Sequence, residues 1–172
     1  MTLIRPETAA DVAAIDTVNK QAFAGREAEP GLVNAIRLSA GFIPELSLVA
    51  EQNGQIVGHI LFSRIHIQTD NGLLPALALA PLAVLPEYQR RGIGSALVRH
   101  GLQECQRLGQ AVVIVLGHPT YYPRFGFSAR LAKALECPFG NFGEAWMALE
   151  IIPAALAEVR GRVVYPPAFD GV

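Results

Sequence analysis

Residues 77–99 read LALAPLAVLPEYQRRGIGSALVR, and their order of apolar run, loop and amphipathic run decides the fold. The loop carries Gln89-Arg90-Arg91-Gly92-Ile93-Gly94. After it, Ile93, Leu97, Val98, Gly101, Cys105 and Leu108 recur at helical spacing. The stretch is therefore a strand, a short loop and a helix. The first-turn N–H groups of such a helix lack partners within it, and the helix dipole is positive there. Gly92 and Gly94 leave little side-chain bulk above those groups, so the junction suits an anion. The glycines also have a purely structural use, in closing the loop or packing the helix against a sheet.

Upstream, residues 47–51, 56–67 and 74–84 form a three-strand antiparallel meander, joined by Asn53-Gly54 and Asp70-Asn71-Gly72. Asn-Gly is a strong hairpin signal because both residues tolerate positive φ. The third strand is apolar on both faces, as a strand inside a sheet must be. Pro81 lies within it and has no N–H for the ladder. A bulge at Pro81, where the strand parts from its next neighbour, removes the conflict and leaves backbone groups for a ligand.

Downstream, Gly109 ends the helix, and residues 111–116 form a buried strand that completes a β–α–β unit with a parallel pair. Gly117-His118-Pro119 breaks the chain, residues 120–125 make a short helix, and Gly126-Phe127 turns into a further extended stretch. Residues 145–151 and 161–165 are the last strand candidates. At the other end, residues 3–5 form a strand, and Thr8 with Asp11 makes a capping box for a helix over 9–23. Gly25 through Gly31 ends that helix, and Leu32, Val33, Ile36 and Leu38 mark a second short one. One mixed α/β domain results.

Composition excludes several classes of function. A net charge of −1 in 172 residues, with no basic cluster beyond Arg90-Arg91, gives no general attraction to nucleic acid or to acidic membranes. No apolar stretch reaches spanning length, and the start of the chain has no secretory pattern, so a cytoplasmic location is expected. Cys105 and Cys137 supply neither a disulfide framework nor a metal cluster, and no His, Cys or carboxylate pair has ligand-like spacing. Cys105 lies on the apolar helix face as a core residue, and Cys137 in a loop.

A phosphate-binding P-loop would end in Gly-Lys-Ser/Thr, which is absent here. A dinucleotide fold would place the glycines after the first strand of a largely parallel sheet, whereas this strand closes an antiparallel meander. Instead the chain resembles the GNAT N-acetyltransferases. Their signature Gln/Arg-x-x-Gly-x-Gly/Ala is matched by Gln89, Arg90, Arg91, Gly92, Ile93 and Gly94. Their Phe-Tyr-x-x-x-Gly-Phe feature is matched by Tyr121-Tyr122-Pro123-Arg124-Phe125-Gly126-Phe127. The stretches LAPLAVLPEYQRRGIG and VLGHPTYYPRFGF resemble the bacterial YhbS-like branch of that family.

The resemblance implies the GNAT acyl-CoA N-acyltransferase fold: a mixed, mostly antiparallel sheet with splayed strands 4 and 5, flanked by helices. It implies an N-acetyltransferase domain over residues 2–152, with residues 153–172 as a C-terminal extension packed on it. Acetyl-CoA is the implied cosubstrate, its pantetheine arm between residues 74–84 and 111–116. Leu82, Ala83 and Val84 would offer backbone pairing to that arm. The N–H groups of Arg91, Gly92, Gly94 and Ser95 would hold the pyrophosphate, and Arg90 or Arg91 would add charge-assisted contacts.

The implied reaction is attack of a neutral amine on the thioester. Tyr122 occupies the family's position for the acid that protonates the departing thiolate; packing is its alternative use, and Tyr121 reads as packing or a cofactor contact. No carboxylate occupies residues 73–85, where many members carry a base. His118 lies just past the next strand at a suitable height, His59 and His66 face either acceptor or solvent, and deprotonation through water serves equally well. The acceptor, a small-molecule amine or else a protein amine, should meet the segment around residues 23–32. Glu27 and Glu29 there attract a cation or are simply solvated, and Phe139, Phe142 and Trp146 supply an apolar wall or core. Homodimers are frequent in the family, and the sequence leaves that point open. The alternative function is an acyl-CoA-binding module without catalysis.

Overall fold

The computed structural model describes residues 1–172. Strands β1 (Leu3–Pro6), β2 (Ser47–Gln52), β3 (Gln55–Thr69), β4 (Gly72–Val84), β5 (Val112–Leu116) and β7 (Trp146–Glu150) lie in that spatial order in one sheet. Every neighbouring pair is antiparallel except β4 with β5. Two short strands, β6 (Leu135–Glu136) and β8 (Gly161–Val164), pair in parallel, and β8 joins β3 at His66–Gln68. Helices α1 (Val12–Ala22), α2 (Ala28–Arg37) and α3 (Ile93–Arg107) flank the sheet.

The meander forms because each of its turns is chemically specified. Asn53 and Gly54 sit at φ of 49° and 77°, the left-handed values that a two-residue hairpin requires. β3 is long, and its side away from β4 is paired in pieces: β2 takes Gln55–Leu61, the Gly41 carbonyl accepts from the Arg64 amide at 3.0 Å, and β8 takes His66–Gln68.

The bulge falls at Pro81. Ile60 is opposite Leu82 and Phe62 opposite Leu79, so Ala80 and Pro81 together face Leu61 alone. On its other side β4 meets β5 at only two positions, Leu77↔Val113 and Ala78↔Ile114. Beyond them β4 continues along β3, while β5 follows β7 as far as Leu116↔Trp146. The two halves of the sheet diverge from this point and leave a wedge-shaped opening.

α3 lies across the sheet with Ile93, Leu97, Val98, Gly101 and Cys105 buried. Gly101 permits that approach: a Cβ there would lie 2.3 Å from Cε2 of the fully buried Phe62. Burial pushes the Cys105 thiol up to about 12, so it stays an unreactive core thiol. No helix is long and apolar enough to cross a membrane.

Three local expectations need correction. Gly31 does not interrupt the chain but lies inside α2, which starts at Ala28 and buries Leu32, Val33 and Ile36 while leaving Leu38 exposed. Gly31 has open space around it, so the helix bears only the propensity cost of a glycine, which packing overrides. The helix expected over 9–23 begins as a 3₁₀ turn at Ala9–Asp11. There the Asp11 carboxylate accepts from the Thr8 amide at 2.7 Å and also from Arg5 at 2.7 Å, so it serves as cap and ion-pair partner at once. The extended stretch expected after Phe127 reduces to a single bridge, Ser128↔Ala148.

His59 faces neither acceptor nor solvent. It is wholly buried between α1 and β2, with Asn19 Nδ2 3.2 Å from Nδ1 and Ser47 Oγ 3.0 Å from Nε2. Asn19 Nδ2 can only donate, so Nδ1 is the acceptor and Nε2 carries the proton. Burial, aided by the charge of Arg37, pushes the imidazole down to about 3, and the ring is neutral. In the unfolded chain it titrates near its ordinary value of about 6.5, so between these limits the unfolded state binds the extra proton. Stability therefore falls with falling pH below about 6.5, by up to ~1.4 kcal/mol per unit. Asp11, held at about 2 first by its hydrogen bond from Arg5, adds to this loss below about pH 4. Urea midpoints should drop between pH 7 and pH 5 for the wild type and stay nearly level for His59→Gln. Equal drops in both would assign the titration to another group.

Candidate active site

The divergence of β4 and β5 opens a cleft of about 860 Å³ that runs from the bulge to the start of α3. Leu82, Val84, Gln89, Arg90, Gly92, Ile93, Gly94 and Ser95 line it, as do His118, Tyr121 and Tyr122. Ala83 and Arg91, placed in the cofactor set from sequence, are not among its lining residues. The Ala83 side chain is buried on a strand face opposite to that of Leu82, and the Arg91 guanidinium lies over the Tyr88 ring at 5.3 Å.

Gly92 caps α3 at φ 83°, a left-handed value that turns the chain so that the first-turn amides face the opening. Gln89 steadies the same loop, its Nε2 donating to the Val84 carbonyl at 2.9 Å. A Cβ at Gly94 would stand 3.2 Å from Tyr121 Oη, which is itself 3.2 Å from Ser95 Oγ. None of Arg90, Arg91 and Arg124 forms an ion pair with a carboxylate, so the loop and the lip of the cleft carry uncompensated positive charge. Unpaired amides, a helix dipole and free guanidiniums together favour a polyanionic group here.

Tyr122 stands across the cleft on a 3₁₀ turn at Tyr122–Phe125. The His118 carbonyl accepts from the Tyr121 and Tyr122 amides at 3.1 and 3.3 Å and fixes the turn to the end of β5. The Tyr122 ring is 7% exposed and lies edge-on to Tyr121 at 5.2 Å and to Phe127 at 5.6 Å. A Cβ at Gly117 would approach Tyr122 Cε2 to 2.4 Å, so only glycine lets the ring sit there. Tyr121 spends its hydroxyl on Ser95, whereas the Tyr122 hydroxyl has no protein partner. Burial raises the Tyr122 phenol well above the ordinary tyrosine value, so it holds its proton at neutral pH as a proton donor does.

His118 is exposed on the rim of the cleft, and His66 is exposed on β3 outside it. Phe23, Glu29 and Leu32 also line the cleft, within the segment where sequence places the acceptor. Glu27 is exposed and pairs with Lys20, but Glu29 is buried. Reading both as solvated carboxylates is thus right for Glu27 alone. Phe139, Phe142 and Trp146 do not wall this cleft. Trp146 donates from Nε1 to the Leu135 carbonyl at 2.8 Å, Phe142 lines a separate hollow beside it, and Phe139 packs on Tyr165 at 4.8 Å. Tyr88, Arg124 and Val172 also line the cleft, without a local signal in the sequence that marks them.

The acetyltransferase (GNAT) domain model matches residues 3–130. The uncharacterized N-acetyltransferase YhbS of Escherichia coli strain K12 is 34% identical over 169 residues, 98% of each chain. The uncharacterized N-acetyltransferase YjhQ of the same strain is 43% identical over 117 residues, 68% of this chain; the match spans 64% of YjhQ. The structure is similar to that of E. coli YhbS in complex with CoA, with a TM-score of 0.89 at 32% identity over 98% of this chain and 92% of that one. It is similar also to a GNAT family acetyltransferase from Brucella melitensis in complex with acetyl-CoA, with a TM-score of 0.81 at 33% identity over 99% of both chains.

Proposed function

The chain belongs to the GNAT acetyltransferase family, and we propose that it carries the acetyl group of acetyl-CoA to the primary amine of a small molecule by direct attack. The observation that carries this reading is the alignment of three features along one cleft: the parted β4 and β5, the open helix start at Gly92–Gly94, and the unpartnered hydroxyl of Tyr122. The relatives crystallised with CoA and acetyl-CoA support it.

In this reading the pantetheine arm lies in the opening and pairs with backbone of Leu82 and Val84. The pyrophosphate takes the N–H groups of Arg91, Gly92, Gly94 and Ser95, with Arg90 close enough to add charge. Arg91 acts through its backbone N–H, whereas Ala83 lies opposite His59 in the β3–β4 ladder, in phase with the Leu85 amide that donates to the Val57 carbonyl, so the open backbone groups of this stretch are those of Leu82 and Val84. The amine nitrogen, in its neutral form, attacks the thioester carbon. The carbon–sulfur bond breaks, and Tyr122 gives its proton to the departing sulfur. The nitrogen then sheds its extra proton to His118 on the rim or to water, and Tyr122 is reprotonated from solvent. The products are the acetamide and CoA as free thiol.

Thiol release from acetyl-CoA over a panel of small primary amines tests the reading. Amine-dependent release with formation of the acetamide is expected. A protein that binds acetyl-CoA, seen as a raised melting temperature, yet releases no thiol with any amine would be an acyl-CoA-binding module instead.

A further inference from the structure

We infer that Glu29 receives the ammonium group of the acceptor, which makes the preferred acceptor a cationic primary amine on an apolar body. The inference rests on the acetyl-transfer reading of the same cleft. Glu29 is the only carboxylate side chain among the lining residues, and it is 9% exposed. Its Oε1 pairs with Arg26, while its Oε2 is buried with no hydrogen-bond donor at all. A buried carboxylate oxygen without a donor is costly, and a ligand that brings an N–H to it recovers the loss.

The surroundings say what kind of donor fits. Arg26 reaches from solvent across the Phe23 ring, its guanidinium 5.7 Å from the centroid, and occupies one face of the carboxylate. It takes the first oxygen and leaves the second without a partner. Phe23 and Leu32 line the cleft with Glu29, so the carbon skeleton next to the ammonium meets apolar surface. Polycationic or strongly hydroxylated acceptors would leave polar groups against Phe23 and Leu32. Glu29 is thus the one negative side chain in a cleft whose loop carries arginines free of ion pairs, which separates the place for an ammonium from the place for an anion. The ammonium bound at Glu29 gives one proton to water before attack, so the acceptor reacts as the neutral amine, and the second proton leaves the nitrogen after attack by way of His118 or water.

The test compares 2-phenylethylamine with the isosteric neutral 2-phenylethanol, titrated calorimetrically into the protein with and without saturating CoA. The wild type should favour the amine by about 10- to 100-fold, the range of a charged hydrogen bond. Glu29→Gln should bind the two alike while keeping its affinity for CoA. Arg26→Ala, which removes the competing cation, should keep or widen the preference and stands in if Glu29→Gln does not fold. An undiminished preference in Glu29→Gln, no preference in the wild type, or its loss in Arg26→Ala overturns the assignment. Acetyl transfer is scored separately: amine preference without thiol release would count against the transfer reading and leave Glu29 as an ammonium site.

Discussion

Tyr122→Phe should cut turnover by about 10²- to 10⁴-fold, the usual worth of a positioned general acid, while CoA binds as before. The change removes one oxygen from a ring whose place is set by Tyr121, Phe127 and the absent side chain of Gly117. That oxygen bonds to no protein group, so its loss costs the fold nothing and any deficit is chemical. Turnover read by thiol release, beside the calorimetric Kd for CoA, separates the two effects. Tyr121→Phe is the control, since it loses only the contact with Ser95 and should stay near wild type. Because burial keeps the Tyr122 phenol protonated, activity should show no fall near pH 10 from loss of this acid. A Tyr122→Phe enzyme at full speed would remove Tyr122 from the mechanism.

Gly94→Glu should weaken binding of CoA by about 100-fold or more. Like charges set together in an interface cost several kcal/mol, and every 1.4 kcal/mol is tenfold in affinity. The substitution places a carboxylate in the first turn of α3, where the open amides and free arginines favour an anion from the ligand. Gly94→Ala is the comparison that isolates charge from bulk. The one tight contact of its Cβ is with the far end of Tyr121 at 3.2 Å, Val84 and Leu82 lying at ordinary contact distances, and alanine is the better helix former. Its affinity should fall far less. Melting curves without ligand should show both variants folded. Full affinity in Gly94→Glu would mean that the pyrophosphate does not lie on this loop.

The features legible in the sequence were those with local causes. Asn53-Gly54 needs positive φ and has it, Pro81 lacks a ladder N–H and sits in a bulge, and the period of Ile93 through Cys105 follows one buried helix face. The misread residues depend on distant neighbours. His59 alternates correctly along β3, but only the approach of α1 with Asn19 makes its site dry. Glu29 looks like a solvated loop carboxylate until Leu32 and Val33 turn α2 inward and the turn at Pro167–Phe169 packs on it. Phe142 and Trp146 carry no sign of which cavity they border, because that depends on where Leu135–Glu136 and Gly161–Val164 dock. The tyrosine turn was readable as a motif, yet the need for glycine at 117 is visible only once the ring is in place.

The pairing of β8 with the far half of β3 has a consequence for life at high concentration. A long strand with a bare flank is a template on which other chains can add strands, and natural sheets blunt such flanks. β3 would offer this flank beyond Leu61, with Ile65 and Ile67 at hand to make the added strand adhere. Gly41 and β8 occupy it instead, and β8 sits so close that a Cβ at Gly161 would overlap the Gln68 carbonyl oxygen at 1.9 Å. The four residues of β8 thus contribute to solubility, as a built-in stopper against polymerisation through the sheet.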